Sequence, residues 1–183
     1  MSVKMAFVTC ARMKSTRLPG KVLRPLLGAP LIHYTVDFAK SLGARLHVFT
    51  RDLAIMEAVQ YLCPIVYEPE ELYDTPFNST EQKMLHCQML LGSDYIVLLQ
   101  PTQPVRDISF IKECINEAVE KRYGYCKVLS TEGQETGLLY IYSRAYLEGL
   151  EGEEHTFIWS GEWFDIDTEA DFERCERWLQ RRA

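Results

Sequence analysis

Short apolar runs rich in β-branched and aromatic residues alternate along this chain with longer segments whose apolar residues recur every three to four positions. That alternation is the strongest constraint on its fold. The runs are KMAFVTC (4–10), RLHVFT (45–50), PIVYE (64–68), DYIVLLQ (94–100), YCKVLS (125–130) and GLLYIYS (137–143). Several are continuous rather than alternating, as strands covered on both faces should be. Between them, Pro30 opens a helix that turns Leu31, Thr35, Phe38 and Leu42 inward and stops at Gly43. Asn78 and Glu81 stand as cap and third residue of another helix, which ends at Gly92. Ile108, Ile111, Ile115 and Val119 share one helical face, and Thr168 with Asp171 forms a capping box ahead of Phe172, Cys175, Trp178 and Leu179. The expected fold is α/β and Rossmann-like, with a mostly parallel sheet and helices on both faces. No repeat or linker interrupts 183 residues, so residues 1–183 are expected to form a single domain.

The formal net charge of -6 argues against a nucleic-acid or membrane-surface partner, because both need a broad basic face. Cys10, Cys63, Cys87, Cys114, Cys126 and Cys175 form no C-x-x-C pair and sit mostly among apolar residues, as reduced core thiols do. The start of the chain lacks the continuous apolar region and cleavage site of a signal peptide, and no apolar stretch approaches a bilayer's thickness. A cytoplasmic protein is expected.

Against that acidic background, ARMKSTRLPGK (11–21) places Arg12, Lys14, Arg17 and Lys21 beside a Pro19-Gly20 turn directly after the first strand. In an open parallel sheet, ligands bind beyond the carboxyl ends of the strands, where this loop emerges. Backbone N–H groups in the turn and the fork-like donors of arginine suit phosphate oxygens. Charge alone fits a solvated surface loop equally well, and the spacing is neither Walker A nor G-x-G-x-x-G.

The loop resembles the R-x-x-S-x-R-L-P-x-K segment of the sugar cytidylyltransferases, which activate sialic-type nonulosonic acids, 3-deoxy-D-manno-octulosonic acid (Kdo) and spore-coat sugars. LLQPTQPVRD (98–107) is similar to the L-L-Q-P-T-S-P-L-R of the CMP-N-acylneuraminate synthetase branch, and DIDTEADF (165–172) to its D-I-D-T-E-x-D. The resemblance implies a nucleotidyltransferase fold that moves CMP from CTP to the anomeric hydroxyl of an acidic sugar, releasing pyrophosphate with Mg²⁺. It implies that Arg12 and Lys21 hold the triphosphate and that Ala11, Ser15 and Arg17 line the same loop; neutral hydrogen bonds from Asn78, Ser79 or Thr80 would read the base. Gln100 and Thr102 would face the sugar, Asp165 and Asp167 would hold the metal, and Arg12, Lys21 and Asp167 would carry catalysis.

The chemistry of phosphoryl transfer agrees, since charge collects on phosphate oxygens and catalysis is mainly positioning plus cations. Two carboxylates at i and i+2 on extended backbone point to one face, as an oxygen-seeking Mg²⁺ requires. Other readings stand beside these roles: Asp165 and Asp167 as acids of a capped turn, Gln100 as a buried amide, and Arg106 with Asp107 as a structural helix-start ion pair. His33, His47, His86 and His155 show no metal spacing, and Trp159, Trp163 and Trp178 read as packing residues.

Three positions depart from the family pattern. Val22 replaces an asparagine, Glu68 stands where a base-contacting cation is expected, and only STEGQET remains of a segment that usually serves the sugar pocket and the dimer contact. A homodimer is therefore not assumed. Two further readings stay open: a non-catalytic nucleotide-binding module, and a small glycosyltransferase using Asp165-Ile166-Asp167 as its D-x-D.

Overall fold

The computed structural model describes residues 3–73, 79–150 and 152–182. In chain order the elements are β1 (Met5–Cys10), a 3₁₀ turn (Lys21–Leu23), the small ribbon β2 (Pro25–Leu26) and β3 (Ala29–Pro30), α1 (Leu31–Ser41), β4 (Leu46–Thr50), α2 (Leu53–Val59) and β5 (Ile65–Tyr67). After a second 3₁₀ turn (Glu70–Leu72) come α3 (Thr80–Leu91), β6 (Tyr95–Leu98), α4 (Ile108–Lys121), β7 (Tyr125–Ser130), β8 (Glu135–Ser143), α5 (Arg144–Leu147), β9 (Glu154–Trp159) and α6 (Glu169–Gln180).

Seven strands form one sheet in the order β5-β4-β1-β6-β8-β7-β9. Every neighbouring pair is parallel except β6–β8 and β7–β8, so β8 alone runs against the rest. The expected α/β architecture with a mostly parallel sheet is therefore present. The continuous apolar runs have the meaning anticipated: Phe7 and Val97 enter one core with α1 and α4, while Ala6, Val8, Ile96 and Leu98 enter another with α3 and α5. α6 closes a further cluster, in which Phe172 and Cys175 pack on Leu26 and Leu31 of the ribbon region. All six cysteines are free thiols.

Several local expectations change. Asn78 lies outside the described residues; Ser79 caps α3, its hydroxyl accepting from the Gln82 N–H at 3.3 Å. The polar stretch 130–137 forms a tight hairpin, with β8 already beginning at Glu135. Arg106 does not pair with Asp107. Asp107 caps α4 through Phe110, while the buried Arg106 guanidinium donates to the backbone carbonyls of Leu138 and Gln100 and lies over the Phe38 ring. The capping box of Thr168 and Asp171 is formed as expected.

Candidate active site

β1, β5 and β6 deliver their C-terminal ends to one side of the sheet, and a cavity of ≈ 400 Å³ opens there. The loop leaving β1 is its wall. Met13 N donates to Asp52 Oδ2 at 2.7 Å and Gly20 N to the Met13 carbonyl at 2.9 Å, so the loop is pinned to the start of α2 and folded back on itself. Gly20 has φ +70°, a left-handed conformation that a side chain would strain, and it turns Lys21 inward. Ser15 stiffens the bend by accepting from Leu18 N at 3.3 Å.

The adjoining wall comes from 146 residues later in the chain. Lys21 Nζ donates to Asp167 Oδ1 at 2.6 Å and to the Ile166 carbonyl at 2.8 Å, and Arg17 holds Asp167 Oδ2 at 2.6 Å. Ile166 N donates to the Thr102 carbonyl at 3.0 Å, tying this segment to the loop after β6. With Ile166 wholly buried, the residues on either side of it, Asp165 and Asp167, both face the cavity. Burial, reinforced by the Asp167 charge, pushes the Asp165 carboxyl above its ordinary range, with a hydrogen bond from Thr102 and the charges of Lys21 and Arg17 opposing the shift.

Of the residues singled out from the sequence, Ala11, Arg12, Ser15, Arg17, Lys21, Thr80, Gln100, Thr102, Asp165 and Asp167 all line this cavity. Ser79 does not line it, because its side chain is committed to capping α3. Lys83 is the residue that sequence reading missed. It projects from α3 into the cavity and pairs with Glu68 at 2.7 Å, with side-chain exposures of 16% and 3%. The acid that looked like a reversal of local charge is thus offset by a lysine fifteen residues later, a distance in sequence at which no helix periodicity links the two. The burial of Glu68 raises its pKa, and Lys83 and Arg12 oppose the rise. In all, five cations (Arg12, Lys14, Arg17, Lys21, Lys83) and three carboxylates (Glu68, Asp165, Asp167) line the cavity of an acidic protein. The local excess is positive, as a polyphosphate guest needs.

The donor set fits a hard divalent cation in one particular way. Asp165 and Asp167 offer carboxylate oxygens side by side, and their mutual repulsion is of the kind a cation relieves. Among the described residues, however, no group of three or more His, Cys, Asp or Glu side chains could hold a metal by itself. The remaining ligands would have to be phosphate oxygens and water. Arg17, with a side chain 66% exposed, has room to swing away from Asp167, which Lys21 still holds. No helix among the described residues is long and apolar enough to cross a membrane.

A family model described as Cytidylyltransferase matches residues 6–138. The chain is 51% identical over 61 residues to the 3-deoxy-manno-octulosonate cytidylyltransferase of Xylella fastidiosa, a stretch that takes in 32% of this chain and 24% of that protein. The match thus spans about a quarter of the relative's length. The structure of CMP:2-keto-3-deoxy-manno-octonic acid synthetase complexed with CTP superposes with a TM-score of 0.82 over 98% of this chain and 100% of that one, at 16% identity. Rv0371c from Mycobacterium tuberculosis H37Rv, solved with manganese, superposes at 0.68 over 96% and 99%, also at 16% identity. At that identity the likeness carries the fold.

Proposed function

The chain belongs to the cytidylyltransferase family, and on that premise we propose that it transfers CMP from CTP to the anomeric hydroxyl of an acidic sugar of the 2-keto-3-deoxy type, such as Kdo or a sialic-type acid, releasing pyrophosphate. The observation that carries the reading is the joint grip of Lys21 and Arg17 on Asp167, because it brings the basic loop and the C-terminal acids to one cavity. A triphosphate laid along that wall meets Arg12, Arg17 and Lys21 as charge-assisted donors. The backbone of the Ser15–Gly20 turn restricts where those donors can reach, which is the positioning that phosphoryl transfer depends on. Thr80, Glu68 and Lys83 also line the cavity, and such neutral and paired groups suit a base better than a phosphate. Asp165 and Asp167 would hold Mg²⁺, which when bound offsets charge on the triphosphate and on departing pyrophosphate. The manganese-bound neighbour and the CTP-bound one support a divalent ion and a cytidine nucleotide as ligands of this family's fold.

The deciding experiment incubates the protein with Mg²⁺, each of the four nucleoside triphosphates, and either Kdo or N-acetylneuraminate, and follows pyrophosphate. Release that needs both CTP and a sugar acid is the expected result. CTP binding without release would make the protein a non-catalytic nucleotide module, and turnover of a nucleotide sugar would make it a glycosyltransferase. Arg12→Ala is expected to weaken CTP binding by about 1.5–3 kcal/mol, the worth of a charge-assisted hydrogen bond, which titration calorimetry would read. Asp165→Asn should act in two directions. Because the folded-state pKa of Asp165 is raised, its contribution to stability declines as pH rises from the unfolded value through the folded-state one, so the metal-free variant should melt above the wild type at neutral pH. The same variant should lose the extra thermal stabilisation that Mg²⁺ and CTP together confer on the wild type.

A further inference from the structure

Gln100 lines the cavity at the end of β6, and its side chain sits in a corner built by β8. Its Nε2 lies 3.5 Å from the Tyr140 hydroxyl, and that hydroxyl donates to Glu135 Oε1 at 2.6 Å. An ionised carboxylate only accepts, so the single proton of Tyr140 points to Glu135 and its lone pairs are what Gln100 meets. The amide therefore has to present nitrogen to Tyr140. Burial, followed by the hydrogen bond to Glu135, drives the Tyr140 pKa upward, so the phenol keeps its proton. Lys127 stands 3.7 Å from the other Glu135 oxygen.

The far side of the amide is fixed by what is missing from the backbone. Gly137 has φ +68°, and a Cβ built on it would lie 2.9 Å from Gln100 Oε1 and 3.3 Å from Gln103 Nε2. A side chain at 137 would be strained by the positive φ and would push the amide oxygen from this place. Below the side chain, the Gln100 carbonyl is held by the buried Arg106, so the backbone that carries it is equally constrained. With one Nε2 hydrogen directed at Tyr140 and Oε1 turned toward Gly137, the second Nε2 hydrogen is a donor left to meet a ligand.

We propose that Glu135, Tyr140 and Gly137 are positioning residues that hold the Gln100 carboxamide as a hydrogen-bond donor, so that the acceptor sugar is selected by an oxygen it presents there, best an ionised carboxylate oxygen. This rests on the reading of the cavity as a cytidylyltransferase site and deepens it by giving the acid group of the sugar a partner in this chain. Donation to a charged oxygen is stronger than to a neutral one, so the arrangement discriminates between an acid and its neutral analogue.

The test uses the full chain and two readouts. In free protein labelled with ¹⁵N at glutamine, the Gln100 side-chain NH₂ pair, assigned with Gln100→Ala, should shift in Tyr140→Phe and in Glu135→Gln, and return toward its wild-type position in Glu135→Asp. With CTP and Kdo, Tyr140→Phe should raise the KM for Kdo about tenfold, the loss of one hydrogen bond, while the KM for CTP stays as in the wild type. Unmoved Gln100 resonances in both variants would overturn the proposal, as would equal rises in the two KM values. Absence of turnover in the wild type would count against the cytidylyltransferase reading instead, and the resonance measurement would still decide whether Glu135 and Tyr140 orient the amide.

Discussion

Replacing Lys21 by methionine is expected to cut CTP-dependent pyrophosphate release by about 10²–10³-fold, the usual loss when one preorganised donor to a developing negative charge is removed. The magnitude follows from where the ammonium sits. Its side chain is 11% exposed, and it holds Asp167 Oδ1 and the Ile166 carbonyl at once, so it charges the phosphate wall and fixes the acid wall. Methionine keeps most of the volume and removes the charge and its two hydrogen bonds while leaving the backbone in place, so the far-ultraviolet circular dichroism should be unchanged. Lys21→Arg should not restore activity, because a planar guanidinium cannot occupy the space of a compact, nearly buried ammonium bonded to both groups. Turnover within a few-fold of wild type in Lys21→Met would remove the lysine from the proposed chemistry.

Lys83→Met should destabilise the folded protein by about 3–5 kcal/mol at pH 7, the cost of leaving a buried carboxylate without its partner. Glu68 is that carboxylate, with a side chain 3% exposed and its Oε1 2.7 Å from Lys83 Nζ. The direction with pH follows from its raised pKa. The folded state binds the Glu68 proton more tightly than the unfolded chain, whose value is near 4.5, so the contribution of this group declines as pH rises from there through the folded-state pKa. Removing Lys83 takes away the main opposing influence and raises that pKa further. The gap between variant and wild type, read by urea denaturation, should therefore narrow between pH 7 and pH 5. Glu68→Gln in the Lys83→Met background should recover most of the loss. An equal gap at both pH values, without recovery in the double variant, would mean that the pair is not coupled as its geometry indicates.

Much of this molecule is written locally. The strands that carry the cavity, β1 and β6, are continuous apolar runs, and the loop between Ala11 and Lys21 stands out by its four cations and a Pro-Gly turn. The acids at 165 and 167 declare a shared face by their spacing. Elements with weak local signals were not anticipated. α2 is seven residues long, with no side-chain hydrogen bond at its cap, and β9 is an edge strand in which exposed Glu154, Thr156 and Ile158 leave only a short inward face. The reversed direction of β8 has no local signature either, since a strand buried on both faces reads alike whichever way it runs.

The residues whose roles depend on partners far along the chain needed the folded molecule. Glu68 is an anomaly in the sequence and half of an ion pair in the structure; Arg106 turns from a supposed helix-start partner of Asp107 into a buried clamp on the backbone at Gln100. By itself the order of residues determined the strongly patterned elements and the basic loop and paired acids that could bind phosphate or metal, because periodicity, capping and charge density are short-range properties. Only tertiary structure decided that Lys21 meets Asp167, that Lys83 neutralises Glu68 and that Gly137 makes room for Gln100, because those distances are set by how the sheet and its loops close in space.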